Sequence, residues 1–268
     1  MPFIDLDLSK RLERAEGNAC MQFAEARRRI YPESGAEWME CAGAYVVFDG
    51  IESPVTQTFG LGLFESLAVE ALDEIERFFR IRGAPVMHEV SPFAGVPVYD
   101  LLCSRCYRPR EISNVLYRLI DDEPGAIPPH ISVRVVGSED AELWARTNAR
   151  GWASERPDFE AFLLQMGAII CARKGSPSFL AAIDGQAAAA GSLAIHEGVA
   201  LFAGAATVPE MRRRGLQTAL LRARLAYARE HACDLAMMVA EPGSESQRNA
   251  ERGGFRVAYT RIKWRLQS

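Results

Sequence analysis

The stretch Leu201–Leu225, LFAGAATVPEMRRRGLQTALLRARL, decides how the rest of this chain is read. It opens as an apolar run too rich in Ala and Gly for a long helix, which predicts a buried strand. Pro209 ends that strand, because proline cannot donate to a sheet ladder. Arg212, Arg213 and Arg214 lead into Gly215, after which Leu216, Leu220, Ala223 and Tyr227 recur on one helical face. The first N–H groups of a helix lack intrahelical partners, and the helix dipole adds partial positive charge there. Strand, basic glycine-containing turn and helix start together form a setting that holds a phosphate. Gly215 admits close backbone approach, and each charge-assisted contact is worth about 1.5–3 kcal/mol.

The run Pro209-Glu-Met-Arg212-Arg-Arg-Gly215-Leu-Gln217 resembles the acyl-CoA loop of the GCN5-related N-acetyltransferase (GNAT) superfamily. That loop reads Arg/Gln-x-x-Gly-x-Gly/Ala, commonly with a proline three residues ahead. Gln217 departs from it at the sixth place, while Gly254-Phe255 downstream fits the family pattern. The resemblance implies acetyl-CoA as cosubstrate and no metal. It places Arg212, Arg213, Arg214, Gly215, Leu216, Gln217 and Thr218 at the diphosphate. Ala205, Ala206 and Thr207 then correspond to the bulged fourth strand that bonds the pantetheine arm and the thioester oxygen.

A second inference comes from repetition. Arg82–Pro92 (RGAPVMHEVSP) parallels His231–Pro242 (HACDLAMMVAEP), and Val115–Leu119 parallels Ile262–Leu266. Cys106-Tyr-Arg-Pro parallels Gly254-Phe-Arg-Val, and Pro54-x-x-Gln57-x-x-Gly60-x-Gly62 follows the spacing of Pro209 to Gln217. Duplicated order implies a duplicated domain, so the chain resembles a tandem GNAT protein. The expected fold is α/β (α+β), with two GNAT-like mixed β-sheet units flanked by helices, the N-terminal one truncated. The expected boundaries are a degenerate unit over 1–122, a linker over 123–130 and an acetyl-CoA-binding unit over 131–268.

In the first half, Leu8, Leu12, Ala15, Ala19, Phe23 and Ala26 give residues 5–30 a helical face. Ala44–Phe48 reads as a strand, Leu63, Leu67, Ala71, Ile75 and Phe78 as a helix, and Pro85–Val90 as another strand. The first loop carries no Lys or Arg, and Glu65 lies near its helix start, so it lacks the charge a diphosphate favours. Backbone amides of Gln57–Gly62 holding a second CoA is the competing reading. In the second half, Ile131–Val136 alternates as a strand, and Phe179–Ile183, Ala187–Ile195 and Gly198–Thr207 form a meander.

Composition bounds the partners. A net charge of −4 gives no basic excess for nucleic acid. The N-terminus lacks the basic flank and apolar core of a signal peptide, and no apolar run reaches membrane-span length. Six scattered cysteines fit reduced thiols in a cytoplasmic protein. Cys103 and Cys106 form a Cys-x-x-Cys without a second pair, and are read as packing residues. A monomer or homodimer is expected.

The resemblance implies an N-acetyltransferase, moving acetyl from acetyl-CoA to an amine of a small-molecule or peptide acceptor by direct attack on the thioester. An alkyl ammonium is neutral at pH 7 on the order of one time in a thousand, so a base or water chain is needed. Glu241, beyond the strand ending at Ala240, is the first choice, and His196 at a hairpin turn the second; solvated turns are the plainer reading of both. Many relatives supply a tyrosine acid five residues before the Phe of Gly-Phe, and Ala250 stands there. Ser246 and Asn249, at the start of the last helix, either bond the pantetheine and sulfur region or cap that helix. Trp152 and Glu155 fall in the loop that shapes the acceptor side in the family. The alternative function is a non-catalytic CoA-binding sensor or scaffold, suggested by Ala250 and the weakened first half.

Overall fold

The structure, a computed structural model, describes residues 4–153 and 160–267. The fold is α/β, with mixed sheets flanked by helices, in two compact units: Met1–Tyr117 with Val239–Ser268, and Arg118–Met238.

The second unit is continuous in sequence. It comprises β6 (Ile131–Val135), α4 (Ala141–Ala153), α5 (Glu160–Ala172), β7 (Ser178–Ile183), β8 (Gln186–His196), β9 (Val199–Thr207), α6 (Leu216–Glu230) and β10 (Leu235–Ala240), the last belonging here as far as Met238. The strand order is β10-β9-β8-β7-β6. Neighbours run antiparallel except β9 and β10, which pair in parallel across the α6 crossover. Asp184-Gly185 and Glu197-Gly198 join the hairpins, all four at positive φ, the backbone that two-residue type I′ turns require. Trp144 of α4 is fully buried, and its indole N–H donates to the carbonyls of Phe179 and Gly191 at 3.0 and 3.3 Å. One donor thus ties α4 to two strands.

The first unit holds α1 (Leu6–Ile30), β1 (Glu37–Cys41), β2 (Ala44–Phe48), β3 (Gln57–Phe59), α2 (Val69–Arg80), β4 (Met87–Val90), α3 (Val96–Ser104) and β5 (Tyr107–Leu119), which belongs here up to Tyr117. From the end of the chain it takes α7 (Glu245–Arg252) and β11 (Arg256–Leu266). Its strand order is β1-β2-β3-β4-β11-β5, so the last strand of the chain is antiparallel to both β4 and β5. Asp5 caps α1 by accepting the Leu8 N–H at 2.9 Å. All six residues of the predicted α1 face are buried.

Arg261 on β11 is 1% exposed and meets three carboxylates: Glu13 at 3.0 Å, Glu16 at 2.6 Å and Glu89 at 3.1 Å. Burial alone would lower its pKa, but these neighbours hold it well above the usual value. Tyr259 donates to Glu13 at 2.9 Å, and Lys263 pairs with Glu89 at 3.5 Å. On β4, the neighbouring His88 is fully buried and bonds the Tyr107 hydroxyl at 3.0 Å, which in turn donates to Glu76 at 3.1 Å.

The order β3-α2-β4-α3-β5 recurs along the chain as β9-α6-β10-α7-β11. Three strands, β1–β3, lead to α2 in the first half, and four, β6–β9, lead to α6 in the second, where α4 and α5 separate β6 from β7. The division into units differs from the boundary expected between 122 and 131, because residues 239–268 pack with the first unit. The helix expected from Leu63 begins at Val69. Leu63 and Leu67 continue its spacing, but Leu63 lies in a turn bent by Gly60 and Gly62 at φ 75° and 69°, and Leu67 in the irregular stretch after it. Cys103 and Cys106 are exposed rather than packed, because α3 ends at Ser104 and the chain turns outward there.

Candidate functional site

Each part of the Leu201–Leu225 stretch has a distinct geometry. In β9 the register with β8 jumps between Ala190–Ala206 and Ser192–Ala203, a bulge with Gly204 at φ 60°. A bulge leaves backbone groups outside the ladder and bends the strand. Its carbonyls are held from the sides. Asn148 of α4 donates to the Gly204 carbonyl at 2.6 Å, and the Ser192 hydroxyl donates to that of Ala203 at 3.1 Å. Ala205 is half-buried, whereas Ala206 and Thr207 are buried. Gly151 lets α4 lie against this strand, because a Cβ there would come within 2.5 Å of Ala206 Cβ and 3.1 Å of the Thr207 nitrogen.

After the short 3-10 turn Pro209–Met211 the three arginines part company. Arg212 turns back, and its guanidinium donates to the carbonyls of Gly151 at 3.0 Å and Thr207 at 3.4 Å. It thereby satisfies a carbonyl in the last turn of α4, the negative end of that helix. The sequence expectation gave Arg212 to an anion; its geometry is that of a clamp between α4 and β9. All three arginines are exposed. Arg213 and Gly215 both have positive φ, 62° and 85°, a local backbone that turns successive N–H groups toward a common concavity.

Helix α6 then starts with Gly215 as N-cap, no side-chain capping bond and no acid in its first turn. Leu216 is buried as the anchor, Gln217 half-buried and Thr218 exposed. Gln217 donates to the Thr207 hydroxyl at 2.7 Å, tying the helix start to the strand end. That bond accounts for an amide at a place the GNAT pattern gives to Gly or Ala.

Deeper in α6, Arg224 is 2% exposed and donates to the Ser192 carbonyl at 3.1 Å, with its guanidinium 4.9 Å from the Phe202 ring centre. Burial lowers its pKa to about 10, so it remains a cation at neutral pH. Asn148, Gly151, Ser192 and Arg224 were not singled out from sequence. A glycine inside a helical run was the one signal available for Gly151.

The other expected residues are spread more widely. Trp152 is half-buried in the last turn of α4, and Glu155 lies outside the described residues. His196, the last residue of β8, is half-buried, its ring 4.0 Å from the carboxylate of Glu197 in the turn that follows. Glu241, Ser246 and Asn249 belong to the first unit and are exposed. The cap of α7 is Ser244, which accepts the Gln247 N–H at 3.1 Å, so Ser246 does not cap that helix. Asn249 accepts from Arg252 at 2.9 Å, and Ala250 is buried.

The first-half counterpart of the loop is filled by its own chain. A Cβ on Gly60 would meet the Phe64 ring at 2.5 Å, and one on Gly62 would meet Val98 at 2.5 Å. Among the described residues, no group of three or more His, Cys, Asp or Glu is placed to hold a metal ion. No helix among them is long and apolar enough to cross a membrane.

Residues 141–255 match the profile of the acetyltransferase (GNAT) family. No curated protein matches the chain. Among solved structures, a GCN5-related N-acetyltransferase from Kribbella flavida aligns at 18% identity and TM-score 0.59, covering 93% of this chain and 96% of its own. One from Sphaerobacter thermophilus aligns at 16% identity and TM-score 0.55, covering 94% and 91%. A tandem GNAT protein from the clavulanic acid biosynthesis pathway aligns at 14% identity and TM-score 0.57, covering 84% and 79%. These likenesses establish the fold.

Proposed function

From the match of residues 141–255 to the acetyltransferase (GNAT) family, we propose that this chain is an acyl-CoA-dependent N-acetyltransferase, a tandem protein whose first half does not bind CoA. The observation that carries the reading is the start of α6. It has neither a capping side chain nor an acid of its own, and it follows three exposed arginines and a positive-φ glycine. Such a terminus fits a diphosphate through backbone N–H groups and guanidinium charge together.

In this reading the backbone of Gly215, Leu216, Gln217 and Thr218, with Arg213 and Arg214, holds the diphosphate of acetyl-CoA. Arg212 and Gln217 act as braces, keeping the turn at the end of β9. Ala205, Ala206 and Thr207 lie along the pantetheine arm, and the bulge at Gly204–Ala205 offers a donor to the thioester oxygen. A donor fixed in advance stabilises charge on that oxygen as the acceptor amine attacks, typically by about 2.7–4 kcal/mol. Asn148 and Ser192 hold the bulge open, so the donor needs no rearrangement during reaction. Trp152 and Glu155 are assigned to the acceptor, a small-molecule or peptide amine.

Ala250 favours a second reading, a CoA-binding protein without turnover. It is 2% exposed where many relatives carry a tyrosine acid, and a lost general acid costs about 10²–10⁴-fold. Thiol release from acetyl-CoA across a broad panel of amines separates the two. Release with any amine supports the enzyme; a uniformly negative panel with retained CoA binding supports the second reading. Arg213→Glu with Arg214→Glu is expected to weaken CoA binding at least tenfold by calorimetry. Unchanged affinity would remove this loop from the site.

A further inference from the structure

Cys103 and Cys106 are the exposed pair among six cysteines; Cys20 and Cys171 are half-buried, and Cys41 and Cys233 buried. Burial pushes the thiols of Cys171 and Cys233 up to about 11 and raises that of Cys41 as well. Cys103 sits in the last turn of α3, and Cys106 immediately precedes β5. The Cys106 N–H donates to the Cys103 carbonyl at 3.2 Å, and Arg105, at φ −95° and ψ 17°, has the third-residue geometry of a type I turn. The ends of such a turn lie within about 7 Å, close to the Cα separation a disulfide bridges.

The turn is held firmly from beneath. Arg105 pairs with Asp73 and, at 3.3 Å, with Glu76. Its N–H donates to the Leu101 carbonyl at 3.1 Å, and the carbonyl of Cys106 accepts the Gln267 N–H at 3.3 Å. Tyr107 is buried next door, bonded to both Glu76 and His88. Both cysteines are therefore exposed at the two ends of one held turn, while Cys41 and Cys233 are buried and Cys20 and Cys171 half-buried.

We propose that Cys103 and Cys106 form a surface dithiol site for two-electron oxidants of the small-molecule disulfide class. One cysteine thiolate attacks a sulfur of the disulfide and expels its other half as thiolate, leaving a mixed disulfide. The second cysteine thiolate attacks the protein sulfur of that bond, closes the Cys103–Cys106 bridge and expels the remaining half. Two cysteines are oxidised and one reagent disulfide is reduced to two thiols, which take up the two cysteine protons. The site is independent of the acyl-CoA reading.

The test uses the full chain, reduced and then incubated folded with glutathione disulfide, alkylated and digested with trypsin. Arg105 lies between the two cysteines and Arg108 precedes Pro109, so the bridge would join peptides 83–105 and 106–110. That linked pair is expected from monomeric protein, with Cys41 and Cys233 still alkylated once the chain is unfolded. Cys103→Ser or Cys106→Ser is expected to leave glutathione on the remaining thiol. Each should also weaken binding of phenylarsine oxide, which needs two converging thiols, at least tenfold. Separate glutathione adducts without the linked pair, a bridge found only in covalent dimers, or arsenical affinity unchanged in the single variants would overturn the proposal.

Discussion

At the residue scale, Gly151 shows how little space the site leaves. Its missing side chain is what allows the last turn of α4 to touch β9, and Arg212 then bonds the carbonyl of the same residue. Gly151→Ala would ordinarily favour a helix by about 1 kcal/mol. Here the added methyl meets both a side chain and a backbone nitrogen, and overpacking of that kind costs about 1–3 kcal/mol. The expected outcome is a net loss of stability in urea denaturation together with weaker CoA binding; a stabilised variant would show that α4 yields easily. Arg212 carries a related lesson. Three consecutive arginines look equivalent in sequence, since their charge and spacing are alike. What separates them is the pair of carbonyls that only the folded chain presents to the first.

At the scale of the element, α6 keeps an empty first turn that a stability-driven sequence would fill with Asp or Glu. Thr218 is the third residue of the helix and is exposed, so Thr218→Asp tests whether the vacancy is kept for a ligand. The carboxylate should raise stability by about 0.3–1 kcal/mol while lowering CoA affinity, readable as a higher melting temperature with a weaker calorimetric Kd. Equal affinity in the variant would place the diphosphate elsewhere.

The same scale explains what the sequence made legible. Helix α1 was readable because burial recurs on one face along it, and the β7–β9 meander because its strands are continuous apolar runs with turn residues between them. The start of α2 was not, since Leu63 and Leu67 keep the helical spacing although Leu63 is buried in a turn and Leu67 packs against the core from an irregular segment. β1 and β3 are short, and Gln57 and Thr58 are polar residues buried for reasons supplied by other strands. The Pro209–Gln217 loop was visible as a pattern, whereas Asn148, Gly151 and Ser192, which meet β9 beside it, depend on contacts distant in sequence.

At the scale of the whole molecule, two buried groups of the first unit oppose each other as pH falls. Burial holds His88 down to about 3 from the ordinary 6.5, so between those values unfolding takes up a proton. Stability then falls by about 1.4 kcal/mol per unit of acidification. Glu13 acts in the other direction. Burial, working against Arg261, raises its carboxyl to about 6 from 4.5, so between those values the folded chain holds a proton that the unfolded chain releases. Its contribution is fully present below pH 4.5 and lost as pH rises through 6. The two slopes cancel between pH 6 and 4.5, and the histidine's decline resumes below. His88→Gln removes one side of the balance, and urea denaturation should then show stability rising on acidification from pH 6 to 4.5. A continued fall over that range would assign the acid response to other groups.

The position of β11 between β4 and β5 also bears on how the chain is born. The Glu13–Arg261 pair spans 248 positions, whereas the second unit is one unbroken segment. That segment is complete as soon as Met238 is free of the ribosome, before β11 is. The first sheet must wait with its middle place vacant, and Glu13, Glu16 and Glu89 without their arginine, until the final strand clears the exit tunnel. The half made earliest is therefore the half finished last.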